Sequence, residues 1–203
     1  KPVGSGPWRY VDHSVGDFFE YEAFDKSLRG VPHFQKLSLL LVPEESTKIA
    51  MVRTGQADII DLVPESAPEV LGAGMKLTVI EGVGMFIFQF WGLYFDEAKD
   101  LPTTDVRVRQ AMSLAINRQD IIDFTMNGYA RPSMPFATFP TSVDVDVPRW
   151  QKWAKETLIY DPDRARELLK EAGWENGFDL TYWSTNFGGT PYMNDISQAV
   201  AGF

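Results

Sequence analysis

The stretch MFIFQFWGLYF, residues 85–95, is the part of this 203-residue sequence that decides the fold. Almost every position in it is apolar or aromatic, which predicts a β-strand covered on both faces. A polar link, residues 96–104, follows it. Apolar residues then recur at the spacing of one helix face, namely at Val108, Ala111, Met112, Ala115 and Ile116. The pattern indicates a buried strand, a short link and a helix with one buried side.

Local signals mark the ends of that helix and a restart after it. Thr103 or Thr104 is placed to cap its first turn, and Asp105 suits the positive end of the helix dipole. Asn117 begins a second helical segment, and the Asn-Gly pair at 127–128 supplies a left-handed stop. We therefore expect two consecutive helices behind the aromatic strand.

The sequence before this stretch predicts a hairpin and then a βαβ unit. Residues 6–13 and 17–24 alternate around Gly16, as in an antiparallel hairpin. Residues 37–42 predict a buried strand, followed by a helix that begins at Ser46 and ends at Gly55. Residues 57–62 form a third apolar run, and ligands of open α/β sheets lie beyond the carboxyl ends of strands. Asp61 and Leu62 are therefore placed where a ligand could be contacted.

Further elements are predicted on either side of the central stretch. Ser66 and Glu69 have the spacing of a capping box, and residues 76–80 alternate like a strand. Residues 131–148 are rich in proline and predict an extended loop. Asp161 as N-cap and Gly173 as stop define a helix, followed by a strand at 178–184 and a helix at 192–200.

Composition and motifs exclude several classes of protein. The net charge of −9 without a basic cluster argues against nucleic-acid binding, and the absence of cysteine excludes disulfides and thiolate chemistry. No apolar run is long enough to span a membrane. His13 and His33 are isolated, and there is no G-x-S-x-G elbow or P-loop. Glu65 and Glu69 could be read as a catalytic pair, but a cap explains Glu69 more simply. We expect no enzyme, no metal and no cofactor.

Four motifs in order resemble one known family. DVRVRQAMSLAINR at 105–118, followed by DII at 120–122, resembles the signature helix of the extracellular solute-binding proteins of family 5, the oligopeptide, dipeptide and nickel receptors of ABC importers. PVGSGPW at 2–8 is similar to the family's GTGPY turn, and TGQADI at 54–59 to its GEVDI turn. DPDRARELLKEAG at 161–173 resembles its YDPEKAKELLKEAG helix. The sequence departs from the family near Asp96, where an Asn is usual, and near Leu28, where a Trp is usual.

The resemblance implies a fold and a division of the chain. The fold class expected is α/β, with parts of two lobes of a type II, cluster C fold like that of periplasmic binding proteins, and with mixed sheets flanked by helices. Residues 1–90 would belong to the first lobe, 91–104 to the crossover and 105–203 to the second lobe. Since full members are much longer, we expect the chain to be an internal portion of such a protein.

The same resemblance implies a function. The complete protein would enclose a peptide or similar small solute between its lobes and deliver it to ABC permease subunits. We expect it to be monomeric and to lie in the periplasm or elsewhere outside the cytoplasm, with or without a lipid anchor. Two alternatives stay open: a sensory or regulatory module that reuses the binding fold, and a hydrolase on an α/β scaffold.

The resemblance places ligand contacts where strands cross between the lobes. The predicted ligand-binding residues are Asp61, Leu62, Gln89, Trp91, Gly92 and Tyr94. Trp91 and Tyr94 are the foremost of them, because an aromatic ring offers a ligand both apolar area and a polar edge. The alternative is that every aromatic residue of this strand belongs to the core.

Overall fold

The computed structural model describes residues 4–80, 84–133, 144–185, 190 and 192–203. The chain divides into two compact units, Lys1–Asp61 and Leu62–Phe203, and each is described by itself. The start of the GTGPY-like turn and the middle of the proline-rich loop lie outside the described residues. The lobe boundaries given above remain a prediction.

The first unit is built on an antiparallel sheet of three strands in the order β1-β2-β3. The strands are β1, Trp8–Ser14; β2, Phe18–Ala23; and β3, Lys36–Leu40. Gly16 lies in the turn between β1 and β2 with φ 80°, a conformation that glycine adopts at no steric cost. The predicted hairpin is therefore confirmed, and so is the strand that follows it. The burial predicted for that strand is wrong, because Leu39 and Leu40 are about half exposed.

Aromatic side chains pair across the first two strands. Tyr10 lies directly opposite Tyr21, and their ring centroids are 6.3 Å apart in an edge-on arrangement. The Tyr10 hydroxyl is hydrogen-bonded to His13 Nδ1 at 2.6 Å, and the His13 ring stacks on Phe19 at 5.4 Å. His13 is thus an exposed part of the sheet surface with its own neighbours.

Helix α1, Glu45–Thr54, follows the sheet and buries Ile49. It ends at Gly55, which takes the left-handed conformation as expected. The prediction that Ser46 caps it is wrong, because the N-cap is Glu44 and makes no side-chain hydrogen bond there. The predicted βαβ unit is also wrong. Residues 57–62 pair with no strand among the described residues, and Ile59 is 89% exposed.

The second unit is helical in its described residues. Its helices are α2, Ala67–Gly72; α3, Val106–Ala115; α4, Arg118–Asp120; α5, Val147–Thr157; α6, Pro162–Glu171; and α7, Met193–Gly202. A π-helical turn, Ile121–Thr125, continues α4. Three 3₁₀ turns lie at Pro64–Ser66, Asp96–Ala98 and Pro102–Thr104.

Helices α3 and α6 form an antiparallel pair that is tied at both ends. Arg107, at the start of α3, donates from Nη1 to the carbonyl oxygen of Glu171 at the end of α6 over 2.6 Å. At the other end, the backbone N–H of Asp161 donates to the carbonyl oxygen of Leu114 over 2.9 Å. Between these ties the buried residues are Ala111, Ala165 and Leu168. Two of these three residues are alanines. Of the stripe predicted for α3, Val108 and Ala111 are buried, whereas Met112, Ala115 and Ile116 are half-buried and Ile116 follows the end of the helix.

The N-terminus of α3 differs from the prediction in its cap. The cap is Asp105, whose Oδ1 accepts from the backbone N–H of Arg107 over 2.8 Å, whereas Thr103 and Thr104 were expected. The Thr104 hydroxyl instead donates to the carbonyl oxygen of Leu101 over 2.7 Å, inside the preceding 3₁₀ turn. Thr104 therefore makes its hydrogen bond within the turn that precedes α3, and not at the N-cap of the helix.

The restart after α3 is confirmed. The Asn117 side chain accepts from the backbone N–H groups of Gln119 and Asp120, and Asn127 and Gly128 both have positive φ. Arg118 lies half-buried and donates to the carbonyl oxygen of Ser113 over 2.9 Å. Burial lowers the pKa of its guanidinium below the ordinary value.

Three predicted strands of this unit are absent from its described residues: 76–80, 85–95 and 178–184 form no ladder. The aromatic stretch packs through ring edges instead. Phe88 lies 5.6 Å from Tyr182, and Phe86 lies 5.6 Å from Tyr192, between ring centroids. Helix α5 was not anticipated; it begins within the segment that predicted an extended loop. The Ser66 side chain makes no cap hydrogen bond, so the capping box is wrong as well.

Candidate functional site

The structure places the six predicted ligand-binding residues in both units. Asp61 is the last residue of the first unit, and the other five belong to the second.

Asp61 is part of an ion-pair group with helix α1. Lys48 Nζ lies 3.1 Å from Asp61 Oδ2 and 2.7 Å from Glu45 Oε2. Burial of Lys48 acts to lower its pKa, but the hydrogen bonds and charges of Glu45 and Asp61 outweigh it, so that the pKa is raised. The Asp61 carboxylate is largely open to solvent. One carboxylate oxygen of Asp61 pairs with Lys48, and most of the side chain is accessible to solvent.

Leu62 is half-buried and leads into a small cavity that sequence reasoning missed. The cavity has a volume of about 130 Å³. It is lined by Val63, Pro64, Glu65, Thr125, Tyr192 and Asp195. Asn127 Nδ2 donates to the carbonyl oxygen of Pro64 over 3.3 Å and joins two sides of this region. No sequence signal pointed to the cavity, because its residues come from three distant segments.

The remaining candidates lie on a tight turn, residues 91–95, which we name the aromatic turn. The backbone N–H of Phe95 donates to the carbonyl oxygen of Gly92 over 2.9 Å and closes it. Gly92 has φ 74°, and a Cβ added there would lie 3.1 Å from the Phe95 ring. The backbone conformation therefore favours glycine at this position, and a Cβ would also press on the nearby ring.

The aromatic turn exposes two of its rings. Trp91 and Tyr94 are each 82% exposed. The Tyr94 ring lies against that of Phe95 with centroids 4.4 Å apart, which supports it from one side. The alternative in which every aromatic residue of this stretch is core does not fit these two exposures.

Gln89 and Trp91 are exposed to solvent. Phe88, which precedes Gln89, and Phe90, which separates Gln89 from Trp91, are half-buried. Successive side chains of an extended segment lie on opposite faces, and these exposures put Gln89 and Trp91 on the same face. The turn at Gly92 interrupts the alternation, so that Tyr94 is exposed together with Trp91 and not on the opposite side. Three candidates, Gln89, Trp91 and Tyr94, are therefore accessible to a ligand on one short segment.

Charged residues follow the aromatic turn at once. Asp96, Glu97 and Asp100 are exposed carboxylates, and Lys99 is the one cation among residues 91–101. Lys99 Nζ lies 2.7 Å from Asp96 Oδ1. Glu97 and Asp100 form no ion pair with the described residues. The segment is aromatic first and acidic next.

Metal and membrane features can be stated for the described residues. No group of three or more His, Cys, Asp or Glu side chains among residues 4–80, 84–133, 144–185, 190 and 192–203 is arranged to hold a metal ion. Within that same part of the chain, no helix has the length and apolar character needed to cross a bilayer.

Comparison with known sequences decides the family. Residues 1–202 match the model described as "Bacterial extracellular solute-binding proteins, family 5 Middle". The chain belongs to this family. The motifs at 105–118 and 161–173 that suggested it lie within the matched region, and the resemblance is confirmed.

The glutathione-binding protein GsiB of Pectobacterium atrosepticum is similar to this family 5 chain. The two are 32% identical over 186 residues, which cover 91% of this chain and 34% of the relative. The chain thus spans about a third of the length of the curated relatives that it matches. Its relatives are solute-binding proteins.

Two solved structures show the fold. The ABC transporter substrate-binding protein CtaP of Listeria monocytogenes superposes with a TM-score of 0.65 at 21% identity, over 99% of this chain and 39% of that one. The oligopeptide-binding protein AppA of Bacillus subtilis, in complex with a nonapeptide, gives 0.57 at 18% identity, over 98% and 40%. The predicted fold class, part of an α/β type II periplasmic-binding-protein fold, is confirmed.

Proposed function

We propose that this chain is part of the solute-binding receptor of an ABC importer. The complete protein binds a peptide or a similar small solute between two lobes and delivers it to membrane permease subunits. The observation that carries the proposal is the family match over residues 1–202. A peptide ligand is supported by the nonapeptide bound to the similar AppA.

The remaining properties follow from the same role. The protein acts by binding and release and not by catalysis, works as a monomer, and resides in the periplasm or elsewhere outside the cytoplasm, with or without a lipid anchor. Residues 1–90 contribute to the first lobe, residues 91–104 to the crossover and residues 105–203 to the second lobe. Closure of the lobes around the solute would present one conformation to the permease.

The proposed contacts with the solute are Asp61, Leu62, Gln89, Trp91, Gly92 and Tyr94. The exposure of Trp91 and Tyr94 supports the two aromatic candidates, since exposed aromatic rings are available to a ligand. Asp61 also has a structural contact, because its carboxylate accepts a hydrogen bond from Lys48.

The test uses the full-length protein and isothermal titration calorimetry with a defined oligopeptide. Trp91→Ala is expected to weaken binding by about 1 kcal/mol or more, because aromatic anchors dominate interfaces of this kind. Its melting temperature should stay close to that of the unchanged protein, since the side chain is 82% exposed. The matched control is Trp153→Ala on α5, outside the proposed site. Undiminished affinity of Trp91→Ala would remove Trp91 from the site.

A further inference from the structure

The aromatic turn offers the faces of its rings to solvent. Trp91 and Tyr94 are both largely exposed, and Phe95 lies behind Tyr94 with its own ring half-open. Exposed indole and phenol faces carry negative electrostatic potential, which attracts ammonium and guanidinium groups. A ligand that meets this surface can therefore gain from a positive charge as well as from apolar contact.

Carboxylates follow those rings directly along the chain. The 3₁₀ turn Asp96–Ala98 begins directly after Phe95, and Asp96, Glu97 and Asp100 are all exposed. Lys99 offsets one of the three through its contact with Asp96. The local charge is therefore negative, and Glu97 and Asp100 are not neutralised by any described residue.

The exposed ring faces and the carboxylates both favour a positively charged ligand group. An anionic ligand would be repelled by the carboxylates and by the ring faces, and a neutral apolar ligand would gain nothing from the carboxylates. A cation gains from both, by cation–π attraction at the rings and by charge pairing next to them. The net charge of −9 on the chain adds a field of the same sign, which raises the local concentration of cationic solutes.

We infer that the solute group received by the aromatic turn is a cationic side chain of a peptide, the ammonium of lysine or the guanidinium of arginine. This inference rests on the proposed function and adds to it the charge class of the ligand. Trp91 and Tyr94 provide the ring faces, and Glu97 and Asp100 provide the negative charge.

The experiment compares three tripeptides that differ in one side chain: Ala-Lys-Ala, Ala-norleucine-Ala and Ala-Glu-Ala. Norleucine matches the length of lysine without its charge, so the ratio of their dissociation constants isolates the charge. With the full-length protein we expect the lysine peptide to bind about fivefold more tightly than the norleucine peptide, as for a partly exposed cation–π contact. The glutamate peptide should bind more weakly than both.

Variants then locate the origin of the preference. Trp91→Ala, and separately the double change Glu97→Gln with Asp100→Asn, should each bring the lysine-to-norleucine ratio towards one. Asp163→Asn, which removes an exposed carboxylate on α6, should leave the ratio unchanged. The preference should also shrink as salt is raised, since exposed charges are screened.

The outcomes separate this inference from the proposed function. Equal affinity for all three peptides overturns the inference and leaves the receptor function standing. A lysine preference that survives both variants also overturns it, because the preference then arises elsewhere. If none of the three peptides binds, the peptide-receptor function itself fails, and the inference fails with it.

Discussion

Leu168→Ala tests the contact between helices α3 and α6. The buried cluster there consists of Ala111, Ala165 and Leu168, with exposures of 1%, 4% and 6%. Two of the three are alanines, so Leu168 is the one large side chain of the buried cluster, with Leu114 and Leu169 packed against it. Replacing a buried leucine by alanine costs about 2.7–5 kcal/mol, according to how far the cavity collapses. Hydrogen bonds fix both ends of this helix pair and limit collapse, so we expect about 3–4 kcal/mol in the free energy of unfolding.

The assay is urea unfolding followed by far-ultraviolet circular dichroism. With a slope of about 2 kcal/mol per molar urea, the midpoint should fall by roughly 1.5–2 M. The control is Leu101→Ala, half-exposed outside the cluster, which should change the free energy of unfolding by no more than about 1 kcal/mol. If the two variants lose the same small amount at an unchanged slope, the α3–α6 contact does not hold this unit together.

Four further predictions follow from other parts of the structure. Ala115→Asp, on the half-buried side of α3, should cost about 1–3 kcal/mol, and an unchanged melting temperature would show that this side is exposed. Arg107 holds the pKa of Asp105 below its ordinary value, so the stabilisation exists above about pH 4 and is lost as the pH falls through the lowered pKa. Thermal melts should therefore lose more stability on acidification in the unchanged chain than in Asp105→Asn. Lys48 has a raised pKa, so its contribution is complete below about pH 10.4 and is lost as the pH rises through the raised value. Lys48→Met should abolish this loss of stability at alkaline pH. If the melting temperatures of the variant and of the unchanged chain fall by the same amount as the pH rises, the prediction is contradicted. Limited proteolysis within residues 96–104 would support the proposed crossover, whereas cleavage confined to residues 42–55 would count against it.

Helices were predictable where the signals that form them are local. At α6 the Asp161 side chain accepts from the backbone N–H of Arg164 over 3.0 Å, Pro162 opens the helix, and Gly173 follows it in the left-handed conformation. All of these features lie within a few residues of the helix they bound. The sequence of a single segment therefore contains nearly all the information needed.

Strands were predictable only where the partner is close in the chain. β1 and β2 are joined by a tight turn, and β3 adds to β2 after a connection formed by residues 24–35. Residues 57–62 and 85–95 have equally apolar patterns but no adjacent partner among the described residues. A strand needs the hydrogen bonds of a second strand, and periodicity reports burial without saying what lies alongside.

The helix caps and the candidate site were also predictable only in part from the sequence. Several nearby side chains compete for the same backbone N–H groups, and Asp105 formed the cap where Thr103 and Thr104 were expected. The signals for α5 were present in Asp146 and Pro148, but the neighbouring prolines favoured a loop. At the site, Trp91 and Tyr94 were predicted as candidates from the family and from chemistry. Their shared exposure depends on the turn at Gly92, which breaks the alternation that the sequence implies.

The antiparallel pairing of α3 and α6 bears on which insertions and deletions the chain tolerates. The hydrogen bond from Arg107 to Glu171 joins residues that are 64 positions apart. Most of the entropy lost in closing so long a loop is already spent, and doubling its length would cost only about 0.6 kcal/mol more. The loops of the segment between the helices can therefore gain or lose residues with little effect on the helix pair. Variation in length among related proteins should therefore concentrate there, because the helix pair keeps its geometry when the connection changes.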